Sequence, residues 1–161
     1  MNIGVLTSGG DAPGMNAALR AVVRSALRKG HKVYGIRRGF SGLIEGGDSI
    51  QALEWGDVSG IMQRGGTILG SARCQEFRQR PGRLQAVRNM LACQLDRLVV
   101  IGGDGSLSGA QLLYEEWPGL LEELASSGAI PSELAAEHPL LGVVGLPGSI
   151  DNDLPGIDVS I

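Results

Sequence analysis

Lysine and cysteine are scarce in this sequence, and each scarcity disfavours a class of protein. Lys29 and Lys32 are the only lysines, and 14 basic residues against 17 acidic ones leave a formal charge of -3. Nucleic-acid-binding proteins usually carry a basic excess, so no nucleic-acid partner is expected. The two cysteines, Cys74 and Cys93, are too few for a disulfide framework and favour a reduced, intracellular protein.

Long apolar runs are also missing. A membrane-spanning helix needs about 18 or more consecutive apolar residues, and no such stretch occurs; the first residues, Met1 to Thr7, carry no basic leader. We therefore expect a cytoplasmic protein without a membrane partner. The length of 161 residues and the 43% hydrophobic content fit one globular domain with a substantial core.

Glycine, in contrast, is abundant. The chain has 26 glycines in 161 residues, more than twice the usual share of about 7%. They form clusters beside hydrophobic runs and follow no fixed period. This pattern is typical of tight turns and of loops where the backbone must come close to a ligand.

The first 36 residues predict a strand, a helix and a second strand. Residues 3–6 form a short apolar run, and residues 15–29 carry an apolar stripe with helical spacing that ends at Gly30. Residues 32–36 then give the second strand. This unit is typical of a parallel sheet with a right-handed crossover.

The remaining segments extend the same α/β pattern. We predict a loop with short turns at 39–47, one or two helical turns at 57–63 and an irregular binding loop at 64–73. Helices are predicted at 83–95, 107–116, 118–127 and 132–137, and buried strands at 98–101 and around 143–144. The fold class is therefore an α/β doubly wound parallel sheet with helices on both faces.

Three of the glycine-rich loops directly follow a predicted strand, at 8–14, 102–106 and 148–153. The carboxyl ends of parallel strands lie at one edge of the sheet, where ligands bind in open α/β folds. We expect these three loops to meet in a single pocket.

The loop from Gly102 to Ser106 has the features of a phosphate site. A buried strand leads into glycines and a helix N-terminus, whose amide groups and dipole attract an anion. Asp104 would repel that phosphate unless a divalent cation lay between them, which makes it a candidate Mg²⁺ ligand. The alternative is structural: Asp104 or Ser106 caps the helix through its side chain. The residues alone leave both interpretations open.

Two common nucleotide motifs are absent. A dinucleotide-binding fingerprint starting at Gly103 would require a third glycine where Ser108 stands, and neither lysine follows a glycine as a Walker A loop demands. A different kind of phosphate loop remains.

The loop after the last strand carries Asp151 and Asp153, two residues apart. If this segment is extended, both carboxylates project to the same side, where one can serve as a general base in phosphoryl transfer. A solvated Asx turn before Pro155 is the simpler alternative. Arg73 and Arg78 could supply cations near the pocket. Alternatively, Arg78 is a solvated charge and Arg73 pairs with a structural carboxylate. Cys74 is expected to be a packing residue beside the pocket.

Together these motifs resemble the 6-phosphofructokinase family. The matching stretches are 7–18 (TSGGDAPGMNAA), 65–73 (GGTILGSAR), 101–106 (IGGDGS) and 148–153 (GSIDND). The resemblance implies that Asp151 is the base on the sugar 1-hydroxyl, that Asp104 holds Mg²⁺, and that Ser149 and Asp153 line the fructose 6-phosphate side. It implies ATP contacts from Gly10, Arg73, Cys74, Gly102, Gly103, Asp104, Gly105 and Ser106.

The resemblance also bears on the phosphoryl donor. Members of the family that use pyrophosphate tend to have aspartate at the position of Gly105 and lysine at that of Gly148, so glycine at both positions favours ATP. A glycolytic, allosterically controlled enzyme that forms a homo-oligomer is the expected context. The NAD and lipid kinases share a Gly-Gly-Asp-Gly loop but lack the first and last motifs.

The resemblance implies that residues 1–161 are the N-terminal, ATP-binding portion of such an enzyme, without its second lobe. Most arginines for the sugar phosphate would then lie outside these residues, and we expect little turnover from them alone. The alternative function is a non-catalytic nucleotide-binding or assembly module that needs a second chain for activity.

Overall fold

The structure is a computed structural model that describes all 161 residues. Its elements, in chain order, are β1 (Asn2–Ser8), α1 (Met15–Arg28), β2 (Lys32–Ile36), α2 (Phe40–Glu45), β3 (Ile50–Leu53), α3 (Arg80–Ala92), β4 (Arg97–Gly102), α4 (Asp104–Ser126), α5 (Ser132–Glu137) and β5 (Gly142–Pro147). Short 3₁₀ turns lie at Gly47–Ser49 and Glu76–Arg78.

The five strands form one sheet in the order β3-β2-β1-β4-β5. β2, β1, β4 and β5 are parallel, whereas β3 pairs antiparallel with β2 at one edge. Helix α1 packs with one core cluster that includes Val5, Leu19 and Ile101, and helices α2, α3 and α4 pack with a second that includes Leu6 and Val100. Neighbouring residues of β1 and β4 thus belong to different clusters, and the predicted doubly wound α/β fold is confirmed.

The predicted loop at 39–47 is wrong, because it contains helix α2. Gly39 and Gly46 flank this helix with φ values of 61° and 66°, so they start and stop it. Gly42 lies inside it, and a β-carbon there would come within 1.9 Å of the Arg37 carbonyl oxygen. Glycine is needed here for close packing, a role that composition does not distinguish from loop formation.

Two smaller expectations also change. The edge strand β3 was not predicted, and it makes the sheet mixed rather than purely parallel. Its four residues are too few to show a clear alternating pattern. The segment at 57–63 forms turns, not helix.

Helix α4 joins what the sequence predicts as two helices. Its 23 residues continue through Pro118, which has no N–H to donate to the preceding turn. Trp117, Leu120, Leu121 and Leu124 are all buried on either side of this point. Burial of one continuous apolar face offsets the lost hydrogen bond.

No helix in the structure is both long enough and apolar enough to pass through a bilayer.

Candidate active site

The three loops predicted to converge lie on adjacent strands. β4 is flanked by β1 and β5, and the register places Ser8 beside Gly102 and Gly102 beside Pro147. The chain therefore leaves all three strands at the same level and on the same edge. The loops after these strands surround one end of α4.

An open cavity of about 630 Å³ lies at this edge. Asp104 and Asp151 both line it, so the loops after β4 and β5 face the same space. The other predicted site residues on its lining are Arg73, Cys74, Gly103, Gly105, Ser106, Ser149 and Asp153. Predicted site residues from three separate chain segments thus share one cavity.

The loop between β4 and α4 leaves the helix N-terminus open. The helix begins at Asp104, and Gly103 precedes it in an extended conformation without any side-chain cap. The structural alternative, in which Asp104 or Ser106 caps the helix, is therefore wrong. With no cap present, the first amide groups of α4 are available to an anion.

Glycine is required where the loop after β1 touches the loop after β4. A β-carbon at Gly102 would come within 2.5 Å of the Ser8 carbonyl oxygen, and one at Gly9 within 3.2 Å of the Ser106 hydroxyl. Gly9 also has a φ of 87°, which favours glycine. These two glycines allow the loops to approach each other closely beneath the cavity.

Gly10 and Gly102 do not line the cavity themselves. Gly10 is exposed, and a β-carbon there would lie 3.0 Å from Cδ1 of Ile150. Gly102 is buried at the end of β4. Each of the two glycines adjoins a lining residue in the chain, since Gly9 and Gly103 both line the cavity.

The acidic loop follows β5. The Ser149 hydroxyl donates to Oδ1 of Asp153 at 2.7 Å, and the Ser149 β-carbon lies 3.8 Å from the position of a β-carbon at Gly103. Asp151 is exposed on the cavity lining. The acidic loop is thus in contact with the glycine loop at the start of α4.

Cations come from the segment before α3. Arg73 and Arg78 line the cavity and are exposed. The ion pairs of the structure are made by other basic residues, so both guanidinium groups are free to meet an anion. Cys74 lies between them on the lining and is half-buried.

An apolar wall completes the cavity, and the sequence did not predict it. Phe40 of α2 and Phe77 of the 3₁₀ turn stack with ring centroids 4.1 Å apart, and both line the cavity. A β-carbon at Gly109 of α4 would lie 3.4 Å from the Phe40 ring. The aromatic pair therefore packs against α4 more than one turn beyond Asp104.

Buried Arg83 holds this wall in place. Its guanidinium donates to the Phe77 carbonyl at 3.0 Å and to both carboxylate oxygens of Glu116 at 2.7 and 3.0 Å. The hydrogen bond from Arg83 is the main reason that the pKa of Glu116 is below its ordinary value. Residues of α3 and α4 thereby fix the turn that carries Phe77.

One signal could have revealed the length of the cavity. Asp104, Ser108 and Leu112 all line it, and they stand four residues apart on α4. Residues at this spacing share one face of a helix, and the rise of 1.5 Å per residue puts the outer two about 12 Å apart. The cavity therefore extends from the glycine loop at the start of α4 toward the aromatic wall formed by Phe40 and Phe77.

The side chains at the cavity can hold Mg²⁺ only together with other ligands. No group of three or more acidic, cysteine or histidine side chains is close enough to form an all-protein metal site. Mg²⁺ instead tends to use one or two carboxylates together with phosphate oxygens and water. Asp104 at the open helix N-terminus fits that mode.

Comparison with known proteins identifies the family. The Phosphofructokinase family model matches residues 2–161. The chain belongs to the phosphofructokinase family.

The curated relatives include the ATP-dependent 6-phosphofructokinase of Yarrowia lipolytica, at 55% identity over 99% of this chain and 17% of the relative. The platelet-type ATP-dependent 6-phosphofructokinase of Homo sapiens is 57% identical over 99% of this chain and 20% of its own length. The chain thus spans about a fifth of the length of these relatives.

Solved phosphofructokinase structures have the same fold. The Saccharomyces cerevisiae structure superposes with a TM-score of 0.96 at 49% identity, over 99% of this chain and 21% of that one. A pyrophosphate-dependent phosphofructokinase from Marinobacter aquaeolei gives a TM-score of 0.70 at 21% identity, over 98% and 36%, and shows the fold alone.

Proposed function

We propose that this chain supplies the nucleotide-binding part of an ATP-dependent 6-phosphofructokinase. The reaction is transfer of the γ-phosphoryl group of ATP to the 1-hydroxyl of fructose 6-phosphate, which gives fructose 1,6-bisphosphate. The observation that carries the proposal is the shared cavity, where the uncapped N-terminus of α4 faces the acidic loop after β5.

The glycine loop is the proposed site of the ATP phosphates. Gly103 and Gly105 offer backbone amides at the positive end of α4, and their lack of side chains lets phosphate oxygens approach. Ser106 offers its side-chain hydroxyl, because its backbone N–H already donates to the Gly103 carbonyl at 3.0 Å. Mg²⁺ held beside Asp104 would neutralise charge on the phosphate chain. Arg73 adds positive charge from the opposite segment.

The remainder of the nucleotide follows α4. The lining runs from Asp104 to Leu112, about 12 Å along the helix, and reaches the aromatic wall of Phe40 and Phe77. An apolar, aromatic end suits a nucleobase, whereas pyrophosphate would leave this part of the cavity empty. Two further contacts with the nucleotide are proposed. Cys74 would contact it from the segment before α3, and Gly10 from the loop after β1.

The acidic loop is the proposed sugar side. Asp151 acts as the base that takes the proton of the 1-hydroxyl as that oxygen attacks the γ-phosphorus. Ser149 and Asp153, hydrogen-bonded to each other, contact the fructose 6-phosphate. The cavity holds both substrates in line, so positioning accounts for much of the rate.

Two measurements test the proposal. Calorimetry with the purified chain is expected to show binding of MgATP and much weaker binding of magnesium pyrophosphate; the reverse order would contradict the proposed donor. In a coupled assay for fructose 1,6-bisphosphate, with the chain extended to include the sugar-phosphate arginines, Asp151→Asn should lower turnover by about 10²-fold or more, with ATP affinity unchanged. Activity that appears only when the remaining segment is added as a separate chain would favour the alternative of a nucleotide-binding module.

A further inference from the structure

Every second residue of the acidic loop, residues 148–153, lines the cavity. Ser149, Asp151 and Asp153 line the cavity, whereas Ile150 and Asn152 do not. A plain extended strand would give this alternation. The backbone is not extended throughout, however, because Asn152 has a φ of 51°.

Asn152 makes two hydrogen bonds across the loop, to residues that do not line the cavity. Its Nδ2 donates to the Asp158 carbonyl at 3.0 Å, and its Oδ1 accepts from the Ser160 backbone N–H at 2.6 Å. Both carboxylates flank a residue whose side chain is held by the returning chain.

Ser160 closes the same loop at its other end. Its hydroxyl accepts from the Ser149 backbone N–H at 2.6 Å and donates to the Ser149 carbonyl at 2.8 Å. Ser149 and Asn152 are thus both tied to one residue of the returning segment. Residues 149–152 therefore form a short loop that is hydrogen-bonded at both ends to Ser160.

Asparagine suits this position for a physical reason. Left-handed backbone is unfavourable for most residues, and asparagine is among the few non-glycine residues that tolerate it. Glycine would tolerate the φ but make neither side-chain hydrogen bond. Alanine would neither tolerate the positive φ nor make these hydrogen bonds.

Resting on the function proposed above, we propose that Asn152 is a positioning residue that turns Asp151 and Asp153 toward the cavity. It touches neither substrate. It acts by holding the left-handed turn between the two acids and by tying that turn to Asp158 and Ser160. Its replacement should impair the chemical step while leaving nucleotide binding at the α4 N-terminus intact.

The test compares Asn152→Ala with Asn152→Gly and with a matched control. Gln94 has a φ of 54°, is exposed and lies in the turn before β4, away from the cavity lining. Gln94→Ala therefore truncates a side chain at a left-handed position remote from the cavity. Urea unfolding of each variant measures any general destabilisation separately.

In the chain extended to include the sugar-phosphate arginines, Asn152→Ala is expected to lower kcat at least about tenfold, with the Kd for MgATP within about twofold of the parent value. Asn152→Gly should recover part of kcat, because glycine keeps the turn, and Gln94→Ala should keep kcat. Equal kcat in Asn152→Ala and the parent, an equal loss in Gln94→Ala, or no recovery in Asn152→Gly would overturn the proposal.

A ligand-independent readout separates this proposal from the proposed function. The contact between Gly103 and the Ser149 β-carbon predicts a nuclear Overhauser effect between their protons, which should disappear in Asn152→Ala and persist in Gln94→Ala. Its persistence in Asn152→Ala would overturn the role of Asn152. Failure of the parent chain to bind MgATP would instead contradict the proposed function and leave this comparison valid.

Discussion

Replacing Gly105 with aspartate would place a carboxylate on the lining of the cavity, in the first turn of α4. A β-carbon at Gly105 meets no atom within 4 Å, so the new side chain would extend into open space without disturbing the fold. We therefore expect the substitution to act on the ligand and not on stability.

The magnitude follows from Coulomb's law. A carboxylate about 4 Å from one phosphate charge costs about 1 kcal/mol at the dielectric constant of water and about 4 kcal/mol at an effective value of about 20. Gly105 is exposed, which favours the lower part of this range, but a triphosphate carries several charges. These energies correspond to a loss of ATP affinity between about fivefold and about 10³-fold.

Two controls separate charge from volume. Gly105→Asn adds almost the same volume without charge, and Gly105→Ala adds only the β-carbon. Calorimetric titration with MgATP should give a strong loss for Gly105→Asp, a smaller one for Gly105→Asn and little change for Gly105→Ala. Unchanged ATP affinity in Gly105→Asp would refute the placement of the phosphates at this loop.

Three further predictions concern the core, an ion pair and the metal. Leu113→Ala, at a fully buried position of α4, should lower the free energy of unfolding in urea by about 2–5 kcal/mol, whereas exposed Tyr114→Ala should stay within about 0.5 kcal/mol. Arg83 lowers the pKa of Glu116, so this pair stabilises the fold fully above the ordinary glutamate pKa of about 4.3 and loses its effect as the pH falls through the lower folded value. Urea titrations between about pH 3 and pH 6 should therefore show a flatter acid limb for Glu116→Gln, and an identical limb would contradict the ion pair. Asp104→Asn should weaken MgATP binding about tenfold but not binding of ATP with a chelator present; an equal loss in both titrations would remove Asp104 from the metal.

The sequence predicted the cavity through local signals. The apolar runs that become β1, β4 and β5 each lead into glycines, and the parallel arrangement then requires the loops to share an edge. Asp104 and Asp151 could therefore be expected on one cavity without knowledge of helix packing. The family resemblance assigned roles to them, and those roles stay predictions, as do the cytoplasmic location and the homo-oligomer.

The missed features depend on contacts distant in sequence. Phe40 and Phe77 are 37 positions apart and meet only because α2 and α3 pack on the same face of the sheet. Gly42 looked like part of a loop, although its role is to let the Arg37 carbonyl approach. Pro118 suggested a helix end, yet burial of the surrounding face keeps α4 continuous. In each case tertiary packing overrides the local preference.

The central claim is that the loops after β1, β4 and β5 form one site, in which the terminal phosphate of ATP reaches the sugar side after β5. A backbone amide NMR titration with MgATP tests it most directly. Resonances of Gly9, Gly103 to Ser106 and Ser149 to Asp153 are expected to shift together along one binding curve, while those on the outer face of α1 stay unchanged. Shifts in only one of these loops, different binding curves for the loops, or shifts confined to α1 would contradict it.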